Sequence, residues 1–143
     1  MSQRLFVAEP PARYQVLSPL VVDCSALAAL VFQEESQAQA AERVVGKALH
    51  APALLPFEMV SVAFKKQKAG RSDIAADGLQ LFAQMGVELH PVAPEPVLAL
   101  ALRYQLSTYD AAYLWLAAEL KAPLATFDEK LATAAQAHLA SLP

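Results

Sequence analysis

Four short apolar runs punctuate the chain and restrict how it can fold: PLVVD at 19–23, HAPALL at 50–55, VELHPV at 87–92 and PLAT at 123–126. Each has the length of a buried strand, and helical stretches separate them. SALAALVF follows the first run, with Ser25 near its start, and QAQAAERVVGKAL (37–49) reads as a second helix capped by Ser36. PFEMVSVAFKKQKAG (56–70) carries Pro56 in its first turn and Gly70 at its end. SDIAADGLQLFAQMG (72–86) repeats that grammar, with Ser72 as cap, Ile74, Leu79 and Phe82 inward, and Gly86 as stop. PEPVLALALRYQL (94–106), STYDAAYLWLAAELKA (107–122) and DEKLATAAQAHL (128–139) are the remaining helices, and ASLP holds at most a vestigial strand. Strands alternating with helices or helical pairs predict an α/β fold, a parallel sheet with helices on both faces. Residues 1–18, with Pro10 and Pro11, read as an N-terminal extension outside a single domain at 19–143.

With 56% hydrophobic and 17% charged residues, 143 residues are enough for one domain with a real core, and disorder is excluded. A net charge of −3 argues against sequence-blind binding of nucleic acid by bulk electrostatics, but not against an acidic site neutralised by metal ions. The single cysteine, Cys24, precludes an intrachain disulfide and suits a reducing cytoplasm; a place in an apolar helix fits it better than redox chemistry. The opening residues MSQRLFVAEPPARYQV lack the apolar stretch of a leader, and no apolar run reaches the length of a membrane span, so no membrane association is expected.

Four carboxylates stand at the mouths of these elements. Asp23 ends the first apolar run, Glu58 lies in the first turn after ALLP, Asp110 opens the long apolar helix and Asp128 the last one. Each has an ordinary explanation as a helix cap or as a favourable charge at a helix N-terminus, where the macrodipole contributes about 0.3–1 kcal/mol. As a set they are harder to explain. Asp23, Glu58 and Asp128 follow strands, and in a parallel sheet those points line the carboxyl edge, where α/β proteins bind ligands. The spacing does not fix whether Asp110 joins them. Grouped carboxylates repel unless a cation lies among them, and an all-oxygen donor set suits Mg²⁺ or Mn²⁺. Such a site activates water and steadies the charge of a phosphodiester being cut. Zinc would require a His and Cys cluster, which His50, His90 and His138, scattered along the chain, are not expected to supply.

These motifs resemble those of the PIN-domain ribonucleases, particularly the VapC-like toxins of type II toxin–antitoxin pairs. VVDCSALAALV, APALLPFEMVSVAF, LSTYDAAYLWLAAEL and PLATFDEKLA match that family's four acidic motifs in order, over about residues 20–135. The resemblance implies a three-layer α/β/α fold and metal-dependent endonucleolytic cleavage of RNA, with Asp23, Glu58, Asp110 and the more variable Asp128 as catalytic and metal-holding acids. It implies that the hydroxyls of Ser25 and Thr126 orient them, with Mg²⁺ or Mn²⁺ as cofactor. RNA as substrate, a cognate antitoxin protein and a homodimer are the implied partners.

Other stretches are read more plainly. Lys65, Lys66, Lys68 and Arg71 crowd the end of one helix, either as a solvated C-terminus or as a grip for RNA phosphates. Tyr113, Leu114, Trp115 and Leu116 go nearly all round their helix, as a buried central helix requires, with a dimer seam as the alternative. Phe57, Val60, Phe64 and the Phe32 region read as core before they read as a groove for an antitoxin peptide. Three other functions compete: an RNA-processing nuclease of the same family without an antitoxin, an RNA- or protein-binding module of the same fold, and a phosphatase using Asp23 as nucleophile. The last usually needs a second Asp two positions on, where Ser25 stands.

Overall fold

Burial sorts the chain into strands lined with small and branched residues and helices that cover them. The computed structural model describes residues 5, 6, 8 and 17–143. Most of the extension expected at 1–18 lies outside the described residues, and Ser18 already belongs to the first strand. The order is β1 (Ser18–Val22), α1 (Cys24–Val31), α2 (Gln37–Val44), β2 (Lys47–Pro52), α3 (Leu55–Lys68), α4 (Ser72–Gln84), β3 (Glu88–His90), α5 (Pro94–Tyr104), α6 (Thr108–Leu120), β4 (Leu124–Ala125) and α7 (Glu129–Ala140). ASLP forms no strand.

All strand pairs are parallel, in the order β3-β2-β1-β4. The chain therefore moves outward from β1 to β2 to β3, then crosses back to place β4 on the other side of β1. Crossovers leave β1 in opposite directions, which makes the carboxyl ends of β1 and β4 the switch point, where such sheets place their ligand crevice. Helices α1 to α4 pack with one another as one group and α5 to α7 as another, giving the α/β/α layering. Helix α6 runs against β1 and β2, and Ala111, Ala112, Tyr113, Leu114, Leu116 and Ala117 are all buried. No seam between subunits is available on those residues. The core joins Val21 and Val22 of β1 to Leu27, Phe32, Leu55, Met59, Leu114 and Leu131.

Several local expectations need correction. The second helix stops at Val44, not Leu49: Gly46 turns the chain at a φ of 77°, and Lys47–Leu49 enter β2. Their apolar spacing fitted a helix, but the left-handed glycine breaks it and pairing with β1 captures the segment. Ser72 is the first residue of α4 and makes no cap hydrogen bond, because Arg71 holds the cap position. Inside α4, Gly78 is buried; a Cβ there would overlap the Phe32 ring and lie 2.9 Å from the Val31 carbonyl oxygen. Phe57, Val60 and Phe64, read first as core, are 82%, 54% and 61% exposed along one side of α3, while Phe32 is fully buried.

Candidate active site

Asp23 is the most buried of the four acids and the most firmly held. It stands immediately after β1 and is the N-cap of α1, with its Oδ1 accepting from the Ala26 N–H at 3.0 Å. Ser25 Oγ donates to the same oxygen at 2.7 Å, and Thr126 Oγ1 donates to Oδ2. The two hydroxyls are themselves fixed by the link from β4 to α7. Phe127 N–H donates to Ser25 Oγ at 2.9 Å, and Asp128 N–H donates to Thr126 Oγ1 at 2.9 Å. An N–H occupying a hydroxyl's lone pair leaves its proton free to point at the carboxylate. Two N–H to O–H to carboxylate relays therefore set Asp23 in place from the neighbouring strand end.

Glu58 lies one turn into α3, half-buried, and its Oε1 accepts a 2.6 Å hydrogen bond from the hydroxyl of Tyr113. Tyr113 is 1% exposed, one turn after Asp110 on α6. Burial, and then the Glu58 carboxylate, push its phenol pKa far up, so the hydroxyl stays a donor. Asp110 sits in the first turn of α6, where Ser107 Oγ caps the helix by accepting from the Asp110 N–H at 3.1 Å. A helix leading straight into a parallel strand must begin at the sheet's carboxyl edge, which brings Asp110 toward the other acids. Asp128, exposed, caps α7 by accepting from Leu131 N–H at 2.8 Å.

Electrostatics tie the four together. Burial raises the pKa of Asp23 above 3.8, against the lowering effect of its hydrogen bonds, and Asp128 adds repulsion. Burial raises Glu58 above 4.5, with Asp110 and Asp23 adding to it. Burial also raises Asp110 above 3.8, with Asp128 and then Asp23 as like-charged neighbours. Among the described residues none of the four is in an ion pair; Lys66 pairs with Glu34, and His50 Nδ1 lies 3.4 Å from Glu88 Oε2. Asp23, Glu58 and Asp110 thus each have a like-charged neighbour among the four, with Lys130 near Asp110 as a weaker opposing charge. Their oxygens are not drawn into a tight cluster: the group of three ligand atoms within 4.8 Å of one another among the described residues lies elsewhere, at His50, Glu88 and His90. Mutual repulsion spreads bare carboxylates, and a hard cation that keeps part of its water shell tolerates a wide donor set. An oxygen-only donor set with uncompensated charge fits Mg²⁺ or Mn²⁺.

Around this crevice the remaining candidates divide. Lys66 is paired to Glu34 at 3.5 Å and Lys68 lies over the Phe64 ring at 5.3 Å, whereas Lys65 and Arg71 are exposed. The Cys24 thiol contacts Met59 Sδ at 3.8 Å, and burial pushes its pKa up to about 12, with Glu58 the first of its charged neighbours to add to this. It remains a neutral thiol packed in the helix. Sequence reading missed Tyr113 as the partner of Glu58. Its spacing of three from Asp110 was the available signal, since such residues share a helix face.

The expectation that no His cluster exists is overturned. His50 Nδ1 lies 2.9 Å from His90 Nε2, because β2 and β3 are adjacent and in register. His138 bonds Tyr104 at 3.1 Å instead.

The fold is three-layer α/β/α, with Asp23, Glu58, Asp110 and Asp128 near enough for like charges to act between them. The PIN domain family model matches residues 20–137, and the chain belongs to that family. Ribonuclease VapC3 of Pyrobaculum aerophilum is 37% identical over 121 residues, covering 79% of this chain and 92% of that protein. Ribonuclease VapC9 of Mycobacterium tuberculosis is 35% identical over 123 residues, covering 83% and 93%. The crystal structure of PAE2754 from Pyrobaculum aerophilum superposes with a TM-score of 0.65 at 24% identity, covering 90% of this chain and 93% of that one, a likeness of fold.

Proposed function

We propose that this protein is a divalent-cation-dependent endoribonuclease, the toxin of a toxin–antitoxin pair, with Asp23, Glu58, Asp110 and Asp128 as its acids. The observation that carries this reading is the placement of Asp23 directly after β1, Glu58 in the first turn after β2 and Asp110 in the first turn of the helix leading into β4, none of them ion-paired among the described residues. The relatives named as ribonucleases support RNA as the substrate. Mg²⁺ or Mn²⁺ would be held by these carboxylates and would supply polarisation of water and neutralisation of phosphodiester charge. The chain's own residues then have separate tasks. Ser25 and Thr126 hold both Asp23 oxygens in one orientation. Tyr113 engages Oε1 of Glu58 and leaves Oε2 free of that bond. Lys65, in the last turn of α3, and Arg71, just after it, are exposed and offer charge to RNA phosphates, with Lys66 and Lys68 in the same turn as Lys65.

In this reading the nuclease domain begins with β1 at Ser18 and runs to 143, the residues before it are an extension, and the protein works in the cytoplasm. Among the described residues no helix is long and apolar enough to cross a membrane. The exposed Phe57, Val60 and Phe64 of α3 suit an apolar antitoxin segment, and the exposed Leu98 and Leu102 of α5 suit a homodimer face. An RNA-processing nuclease without an antitoxin would leave the α3 stripe without a purpose.

The test is cleavage of RNA by purified protein with Mg²⁺ or Mn²⁺, with chelator, and by Asp23→Asn and Asp110→Asn variants. Cation-dependent cutting that both variants lose supports the nuclease. Cutting that survives in them indicates a contaminant, and absence of cutting on diverse RNAs favours a binding module of the same fold.

A further inference from the structure

A second group of ligands lies on the far side of the sheet order from β4, between β2 and β3. The register pairs His50 with Glu88 and Pro52 with His90. Glu88 and His90 are two apart on one strand, so all three side chains project from one face of the sheet. His50 Nδ1 is 2.9 Å from His90 Nε2 and 3.4 Å from Glu88 Oε2, and the three ligand atoms lie within 4.8 Å of one another. His50 Nδ1 has a single in-plane direction for a proton or a lone pair, yet both His90 Nε2 and Glu88 Oε2 are within its reach. Two imidazole nitrogens and a carboxylate oxygen so placed can all turn to one cation.

A tetrahedral cation bound at about 2.0–2.2 Å to nitrogen and oxygen holds its donors roughly 3.3–3.5 Å apart. The His50–Glu88 separation already has that value, and the His50–His90 separation needs to open by only a few tenths of an ångström. Two imidazoles and one carboxylate suit a borderline cation such as Zn²⁺, Co²⁺ or Ni²⁺ and are poor ligands for Mg²⁺. We propose that His50, His90 and Glu88 bind one Zn²⁺-class cation, with water in the fourth position. Bridging β2 to β3 secures an edge strand of only three residues, Glu88–His90. The site is separate from the acidic crevice and does not depend on the nuclease reading.

The test uses the full, untagged chain, stripped with chelator and titrated with Zn²⁺ by calorimetry, and with Co²⁺ by visible absorption. Wild type is expected to bind one equivalent of Zn²⁺ at this site and to show the intense bands of tetrahedral Co²⁺. The Asp23→Asn/Asp110→Asn double variant and His138→Gln should retain both. His50→Gln, His90→Gln and the surface variant Glu88→Gln, each checked for its fold by circular dichroism, should bind Zn²⁺ at least about tenfold more weakly. That floor is the low end of the loss seen when even an outer partner of a metal ligand is removed. Failure of wild type to bind, binding unchanged in the His50 and His90 variants, or binding lost in the acid double variant would overturn the proposal.

Discussion

Tyr113→Phe removes one oxygen from a buried position and isolates the tie between α6 and the Glu58 carboxylate. The bond is 2.6 Å long, its donor is 1% exposed and its acceptor is a half-buried acid. A hydrogen bond to a charged group contributes about 1.5–3 kcal/mol, and water reaching Glu58 places the loss in the lower half of that range. For a chain of this size that corresponds to a fall in Tm of roughly 5–8 °C. The loss depends on pH with a definite sign. Tyr113 favours the ionised form of Glu58 and so opposes the rise that burial imposes. The bond therefore contributes fully above the folded pKa of Glu58, which lies above 4.5, and its charged part is lost as pH falls through that value. Thermal melts of chelator-treated wild type and variant should differ most at pH 8 and converge toward pH 4, leaving about 0.5–1.5 kcal/mol for a neutral hydrogen bond. Equal Tm values at pH 8, or a gap that does not change with pH, would refute the reasoning.

Four further outcomes follow from the structure. Without divalent cations, Asp110→Asn should raise stability at pH 7–8 by a few tenths to about 1 kcal/mol, since relieving strain at a functional site commonly yields about 0.5–2 kcal/mol, part of it offset by the lost dipole interaction. Because Asp23, Glu58 and Asp110 all have raised folded pKa values, the native state holds more protons than the unfolded chain above 3.8 and 4.5. Their contribution accordingly makes chelator-treated protein more stable as pH falls from neutral, and a urea titration series should show a flatter dependence in Asp110→Asn. Gly78→Ala should destabilise by about 1–2 kcal/mol in denaturant melts, because overpacking against Phe32 and Val31 outweighs the gain in helix propensity of about 1 kcal/mol. Phe64→Ser on the exposed stripe should change stability by less than about 0.5 kcal/mol, whereas Phe32→Ala should cost about 3–5 kcal/mol, as paired melts would show.

The alternation of PLVVD, HAPALL, VELHPV and PLAT with helices was enough to read a parallel sheet, because crossover connections leave few other arrangements. Asp23, Glu58 and Asp128 could be assigned to the carboxyl edge for the same reason. Asp110 was legible in principle, since the turn from α6 into β4 is too short to place that helix otherwise. What linear spacing hid was register. His50 and His90 are 40 residues apart and meet only because β2 and β3 align, and Tyr113 finds Glu58 across 55 residues of chain. Apolar character likewise could not separate Phe32, sealed under Gly78, from Phe57 and Phe64, which face solvent on α3. Nor could it separate the end of α2 from the start of β2, where Gly46 makes the difference.

In the proposed function Asp23, Glu58, Asp110 and Asp128 act together as a cation site. Mn²⁺ titrated by calorimetry into chelator-stripped protein tests that most directly, with Asp23→Asn, Asp110→Asn and His50→Gln alongside. Binding in wild type and in His50→Gln, lost in both acid variants, is the predicted result. Absence of Mn²⁺ binding to folded wild type, or equal binding in the acid variants, would contradict it.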